Sequence, residues 1–274
     1  MKTCTLAPAH LPLEDALQMD IALIRPVSRC IQDCELTHLN RADICLETAQ
    51  RQHDAYAQAL TDLGIQVVEL PALHDHADAV FVEDTVVAVD EVAVLTRLGA
   101  ESRRGESASM LEAIAPFRDV VQMQSPGTLE GGDVMQVGRT IYVGRSTRSN
   151  DAGIEQLRSH LSPHGYDIVQ VDVPGALHLK TACTCIGRNT LLANTAWIDI
   201  DAFSALDVIE VHPDEPFAGN AVQIDDTLIF SSQYPETARR LRDNGFSLVL
   251  VDSTELAKAE GSLTCKSVLL RRTQ

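Results

Sequence analysis

Short runs of β-branched and aliphatic residues recur along the chain, each group followed by one amphipathic helix. "AVFVEDTVVAVDEVAVLTR" reads as two strand-like runs turned at Asp90-Glu91. "RRGESASMLEAIAPF" follows with helical spacing and stops at Pro116, and "DVVQMQS" is a lone strand. The order then repeats. "GGDVMQVGRTIYVG" predicts a hairpin turning at Gly138-Arg139, "NDAGIEQLRSHL" a helix with Asn150 as N-cap, and "YDIVQVDV" an alternating strand. A third unit runs through "LHLKTACTCIGRNTLLAN", turned at Arg188-Asn189, then a helix "DAFSALD" and a strand "VIEVH". A fourth comprises "GNAVQIDDTLIFSS", turned at Asp225-Asp226, then "PETARRLRDNG" and "FSLVLVD".

One hairpin strand, "LTCKSVLLRR", is left without a neighbour at the C-terminal end. Its only available partner is "IALIRPV" near the N-terminus, which is followed by the helix "ETAQRQHDAYAQALTDLG" and the strand "IQVVELP". Pairing the two ends completes a fifth unit. The period is on the order of 45 residues, within the range of repeat architectures. A last strand that pairs with the first closes the chain into a ring. The expected fold is therefore an α/β propeller of five ββαβ units around a central site, a single domain over residues 21–274. Residues 1–20 fall outside the pattern and are expected to form an N-terminal extension.

Composition narrows the function. The 274 residues are 45% hydrophobic and 22% charged, ordinary for a globular chain, while 4% aromatic content predicts an aliphatic core. A net charge of −17 argues against a nucleic-acid partner, which would call for a basic patch. Seven scattered cysteines, an odd number with no framework spacing, fit a reducing compartment. Prolines and acids interrupt the N-terminal "MKTCTLAPAHLPLEDALQMD", so no signal peptide is expected. No apolar run approaches the roughly 20 residues of a membrane helix. A cytoplasmic protein with no membrane partner is expected.

Polar residues gather where the first strand of each unit begins: Asp78, Glu83 and Asp84 in "DAVFVED", Glu130 and Asp133 in "EGGD", His178 in "LHLK" and Cys265 in "LTCK". An unpaired buried charge is costly, so acids at strand starts need a reason. Each has a bland one: acids cap turns, a histidine between leucines satisfies a core, a free cysteine packs as a small hydrophobe. Jointly they supply a nucleophile, a base and a carboxylate to orient it, from separate units of one ring. Rival motifs are weaker. "HDHAD" (His74 to Asp78) lacks a matching ligand pair, and "CTC" (Cys183, Cys185) has strand spacing for core packing. No phosphate loop or dinucleotide fingerprint occurs. The arginines of "AESRRGE" read as solvated surface at the start of a helix.

Six motifs, "DAVFVEDTVV", "LTRLGAESRRGE", "EGGDVMQVG", "YVGRSTRSN", "LHLKT" and "LTCKSVLL", together resemble dimethylarginine dimethylaminohydrolases, members of the guanidino-group-modifying superfamily with the pentein fold. The resemblance runs from about residue 20 to the end and implies the same five-unit ring. By resemblance, Cys265 matches the nucleophile, His178 the general acid/base and Glu130 the carboxylate that orients the histidine. Asp84, with Glu83 beside it, matches the acid that holds the substrate guanidinium, and Asp78 a ligand of the amino-acid end. Arg97 and Arg148 match the arginines that take the substrate carboxylate. Leu36 matches a loop residue whose backbone contacts substrate, although the loop is one residue longer here. Ala259 stands where the family carries a larger aliphatic residue.

The resemblance implies hydrolysis of asymmetric dimethyl- or monomethyl-L-arginine to L-citrulline and dimethylamine or methylamine, through a covalent Cys thiouronium, with no metal or cofactor. The substrate is a free amino acid. Two alternatives stay open: a related guanidino or ureido hydrolase (arginine deiminase-like, or acting on citrulline) and a non-catalytic binding protein of the same fold. The ring needs no second subunit, although an exposed apolar patch would allow a homodimer.

Overall fold

The computed structural model describes residues 20–271. The extension predicted for residues 1–20 lies outside them except for Asp20. Fifteen strands among the described residues form five separate three-stranded sheets. In each sheet an antiparallel hairpin is extended by a third strand parallel to its second.

The first sheet closes the ring. β1 (Ile21–Ile24) runs antiparallel to β15 (Ser267–Leu270), with Ile21 opposite Leu270 and Ile24 opposite Ser267, and parallel to β2 (Gln66–Glu69). The remaining sheets follow in chain order. They are β3 (Val86–Ala88), β4 (Val92–Leu95) and β5 (Asp119–Gln122), then β6 (Val134–Val137), β7 (Thr140–Arg145) and β8 (Asp167–Asp172). Next come β9 (Cys183–Cys185), β10 (Thr190–Ala193) and β11 (Asp207–Glu210), then β12 (Ala221–Ile224), β13 (Thr227–Ser231) and β14 (Ser247–Val251). The five-unit ring expected from the repeat is the observed architecture.

Burial explains the sequence pattern. The middle strands β1, β4 and β10 are buried at every position and read as continuous apolar runs. Third strands such as β5 carry polar ends and are only partly covered. Crossover helices fill the gaps between sheets. Helix Leu46–Asp62 buries Ala49, Gln52, His53, Tyr56, Ala59 and Leu60, one face at helical spacing. Helix Asp151–Leu161 is capped as predicted: the Asn150 side chain accepts the Gly153 N–H. The predicted turn Arg188-Asn189 has both residues at positive φ, as a two-residue hairpin loop needs.

Two expectations are corrected. "DAFSALD" forms no α-helix; the crossover holds one 3-10 turn, Ile200–Phe203, that buries Phe203. Cys265 does not lie within a strand either. It sits in a 3-10 turn, Thr264–Lys266, directly before β15.

That second correction generalises. Innermost strands β3, β6, β9 and β15 are each entered through one helical turn: Val82–Thr85, Gly131–Asp133, Leu179–Ala182 and Thr264–Lys266. These turns carry or adjoin Asp84, Glu130, His178 and Cys265. Strand pairing is suspended there, and the Gly132, Leu179 and Thr264 N–H groups bond the Asp84, Asp133 and Asn220 side chains instead.

Candidate active site

Cys265, His178, Asp84, Asp78, Arg103 and Arg148 line one small cavity of about 20 Å³, together with Glu35, Phe81, Leu177 and Ala259 to Gly261. His178 Nε2 lies 2.7 Å from Glu130 Oε2. Glu130 is fully buried, and its other oxygen accepts the Gly99 N–H at 3.1 Å and faces Arg148 Nη1 at 3.5 Å. Burial opposes charge on Glu130. The His178 hydrogen bond and charge, with Arg103 and Arg148, outweigh it and hold the carboxyl well below the usual range. Burial likewise opposes charge on His178, but Asp84, Asp133 and Glu130 push it up to about 9. The imidazole is therefore protonated at neutral pH.

Cys265 meets the opposite field. Burial, then Glu83 and Asp84, push its thiol up to about 12, and the Ser262 N–H at 3.4 Å from Sγ lowers it only partly. Asp78 is pushed up to about 6 by burial, against the pull of Arg103 and of the Glu35 N–H that it accepts at 3.0 Å.

The glycines of "EGGD" are explained by close approach. A Cβ on Gly132 would stand 2.6 Å from His178 Nδ1 and 3.0 Å from Asp84 Oδ1; one on Gly131 would stand 1.9 Å from the Glu83 carbonyl oxygen. Only glycine lets this turn pass beneath the histidine. Asp133 is a structural tie: it accepts from Ser146 Oγ, Ser149 Oγ and the Leu179 N–H, fastening the Glu130 turn to the His178 helix.

The structure does not bring every predicted residue to the cavity. Arg97 points away and donates to the Gly127 carbonyl, because Thr96, its neighbour, takes the inward direction and bonds the Asp84 carbonyl. The second guanidinium in the cavity is Arg103, from the "AESRRGE" stretch read as solvated surface. It is buried, donating to Asp84 Oδ2 at 2.8 Å, to Glu106 and to the Phe81 carbonyl. Arginine is rarely buried unpaired, and these acids supply the pairing. Glu83 also faces elsewhere. It accepts Lys180 Nζ at 2.5 Å and Thr264 Oγ1 at 2.8 Å, and lines a separate cavity of about 280 Å³ on the ring axis with the five innermost strands. Leu36 packs in the roof, against the cluster that holds Ala259 and Cys265.

Asn220 went unnoticed in the sequence, where "GN" reads as turn chemistry. Its Oδ1 accepts the Leu263 and Thr264 N–H groups, and its Nδ2 donates to the Lys180 carbonyl, so it fixes the Cys265 turn to the neighbouring sheet. Of the rival motifs, Cys183 is buried in a core cluster with Cys185 packed beside it. Among the described residues the one group close enough to share a metal ion is Asp84, Glu130 and His178. Each is already engaged, Glu130 with His178 and Asp84 with Arg103.

A protein of this architecture presents a cysteine, a carboxylate-oriented histidine and carboxylate–arginine binding groups at the hub of a five-sheet ring. The class is the pentein-fold guanidino-group-modifying enzymes. The family profile described as "N,N dimethylarginine dimethylhydrolase, eukaryotic" matches residues 35–267. A dimethylarginine dimethylaminohydrolase of Streptomyces coelicolor is 40% identical over 251 residues, 91% of this chain and 96% of that protein. A solved Pseudomonas aeruginosa dimethylarginine dimethylaminohydrolase, a cysteine-to-serine mutant complexed with citrulline, superposes with a TM-score of 0.88 at 32% identity, covering 92% of this chain and 99% of that one. A histidine-to-glycine dimethylarginine dimethylaminohydrolase in an adduct with S-methyl-L-thiocitrulline gives 0.87 at 32% identity, covering 92% and 100%. The chain belongs to the dimethylarginine dimethylaminohydrolase family.

Proposed function

We propose that this protein hydrolyses free Nω-methylated L-arginines to L-citrulline and the methylamine, with Cys265 as nucleophile. The observation that carries the reading is the Glu130–His178 pair at 2.7 Å beside the cavity that Cys265, Asp84, Arg103 and Arg148 line. Arg148 and Arg103, rather than Arg97, take the substrate carboxylate, and Asp78 takes its ammonium.

The charges set the order of events. In the free protein the thiol is neutral and the imidazole charged at pH 7. A substrate guanidinium entering beside Asp84 offsets the acids that hold the thiol up, so binding favours the thiolate, and the thiol proton leaves to solvent. Asp84 fixes the guanidinium plane for attack. The thiolate adds to the guanidinium carbon, forming the C–S bond and a tetrahedral adduct. Protonated His178, with Nε2 held by Glu130, gives its proton to the methylated nitrogen, the C–N bond breaks, and the amine leaves a cysteine thiouronium. Neutral His178 then takes a proton from water, which adds to the same carbon; the C–S bond breaks and citrulline departs. Dividing one displacement into two easier steps is the gain of covalent catalysis.

A single catalytic domain over residues 21–274, a cytoplasmic location and an allowance for a homodimer belong to the same reading. Six free cysteines among the described residues support the reducing compartment. The test is a substrate panel with citrulline and amine quantified for asymmetric dimethylarginine, monomethylarginine, arginine and citrulline. Methylated arginines are expected to be turned over best; preference for arginine or citrulline would overturn the substrate, and no turnover of any would favour the binding-protein alternative.

A further inference from the structure

A cavity of about 20 Å³ cannot admit an amino acid, so something above it must move. Its roof is the loop 35–39. The loop has four anchors. Glu35 N–H is held by Asp78 Oδ2 at 3.0 Å, and Glu35 Oε1 accepts from Ser102 Oγ. Thr37 Oγ1 accepts from Arg148 Nη2 at 3.1 Å. The fourth is the Glu260 carboxylate, which gathers three successive backbone N–H groups: Thr37 at 3.0 Å, His38 at 2.6 Å and Leu39 at 2.6 Å.

Beyond the loop lies an outer cavity of about 470 Å³, walled by His38 and Leu39 and by the Trp197 and Phe217 rings. Leu177, Glu260 and Gly261 line both cavities, so Glu260 stands at the partition between them. Its backbone has φ of 58°, a left-handed conformation uncommon outside glycine, asparagine and aspartate. Such conformations persist where the surroundings hold them, and they concentrate at ligand clamps.

We propose that Glu260 is the latch of this roof, a positioning residue that closes loop 35–39 over bound substrate and makes the outer cavity the route of entry. Asp78 and Arg148 anchor the empty roof, but on the reading above they are also the groups that take the substrate's ammonium and carboxylate. Substrate therefore competes with the loop for both. Glu260 takes no part in that exchange, and its three charge-assisted bonds draw the loop back down once the other anchors have changed partners. The proposal rests on the methylarginine reading for its substrate, but the latch itself is readable without turnover.

The test uses the full chain with Glu260→Gln and Glu260→Gly. Glutamine keeps one carbonyl acceptor without the charge; glycine keeps the left-handed backbone and removes the latch. Amide hydrogen exchange at Thr37, His38 and Leu39 is expected to quicken in the order wild type, Gln, Gly, by at least about tenfold in the last, with amides of β1 unchanged. KM for asymmetric dimethylarginine is expected to rise roughly five- to twentyfold while kcat stays within about threefold. Unchanged exchange at the three amides in Glu260→Gly would overturn the latch, and faster exchange with unchanged KM would overturn its link to substrate. If wild type turned over no methylarginine while Glu260→Gly still lost protection, the substrate reading would fall and the latch would stand.

Discussion

Replacing Glu130 by Gln removes one negative charge and leaves the shape of the side chain. His178 lies at about 9 against an ordinary value of 6.5, a difference worth roughly 3 kcal/mol net of its burial. Three acids share that work: Asp84, Asp133 and Glu130, of which Glu130 also makes the 2.7 Å hydrogen bond. Losing the bonded one should cost a third of the sum or more, at least ~1 kcal/mol, so the imidazole should titrate about one pH unit lower. The limb of kcat/KM near pH 9 reports the His178 titration of the free enzyme. In Glu130→Gln that limb should move from near 9 to 8 or below, with kcat reduced on the order of 10²-fold as the acid loses its orientation. The assay is kcat/KM from citrulline formation between pH 5 and 10, beside an NMR titration of the His178 ring. A kcat/KM limb and a ring titration left at about 9 in the variant would refute the assignment of Glu130 as the group that charges and orients His178.

Asp78 is an acid raised to about 6, so the acidic limb of kcat/KM should lie near pH 6, with binding lost as pH falls through it. Asp78→Asn should abolish that limb and raise KM, and a limb that persists would assign it to another group. Gly132→Ala should lower kcat about 10²-fold by pushing His178 and Asp84 aside while thermal unfolding changes far less; unaltered kcat would refute the close approach. Lys266 is fully buried, its Nζ has no hydrogen-bond partner among the described residues and sits 5.0 Å over the Tyr56 ring, and burial lowers it from 10.5 to about 7. A base lowered by folding costs stability most below the folded value, and the cost vanishes as pH rises through 10.5. Lys266→Met should therefore stabilise the fold by about 1–3 kcal/mol at pH 7 and by more at pH 5, in urea unfolding; a loss at both would refute this.

The ring was legible because the sheets share a pattern: a largely apolar middle strand, a half-covered edge and, in four of the five units, an amphipathic crossover helix. Closure was legible because "LTCKSVLLRR" had no partner but "IALIRPV". The hub was legible only in part. Acids and a histidine at the strand starts violate the cost of buried charge, and that violation pointed to the site. What the pattern could not convey is direction. The apolar run of Ser267–Leu270 predicts a strand that reaches back through Cys265, but the helical turn Thr264–Lys266 intervenes and dissolves the alternation. Arg97 and Arg103 are both plausible anion ligands in one motif; only the inward turn of Thr96 and the pairing of Arg103 with Asp84 separate them. Glu83 and Asp84 are adjacent, and the 3-10 turn sends one to the axial cavity and the other to the small one. Asn220 shows no chemistry of its own, since its role is to hold the backbone of another segment.

The central claim is that Cys265 carries the carbon of a methylated guanidinium during turnover. Acid quenching of the protein within one turnover of asymmetric dimethylarginine, followed by mass analysis of the peptide that contains Cys265, tests it directly. The account predicts a peptide heavier by the substrate less dimethylamine, absent in Cys265→Ser, which should unfold at nearly the wild-type temperature. Full turnover to citrulline by Cys265→Ser, or an adduct on any other cysteine, would contradict it.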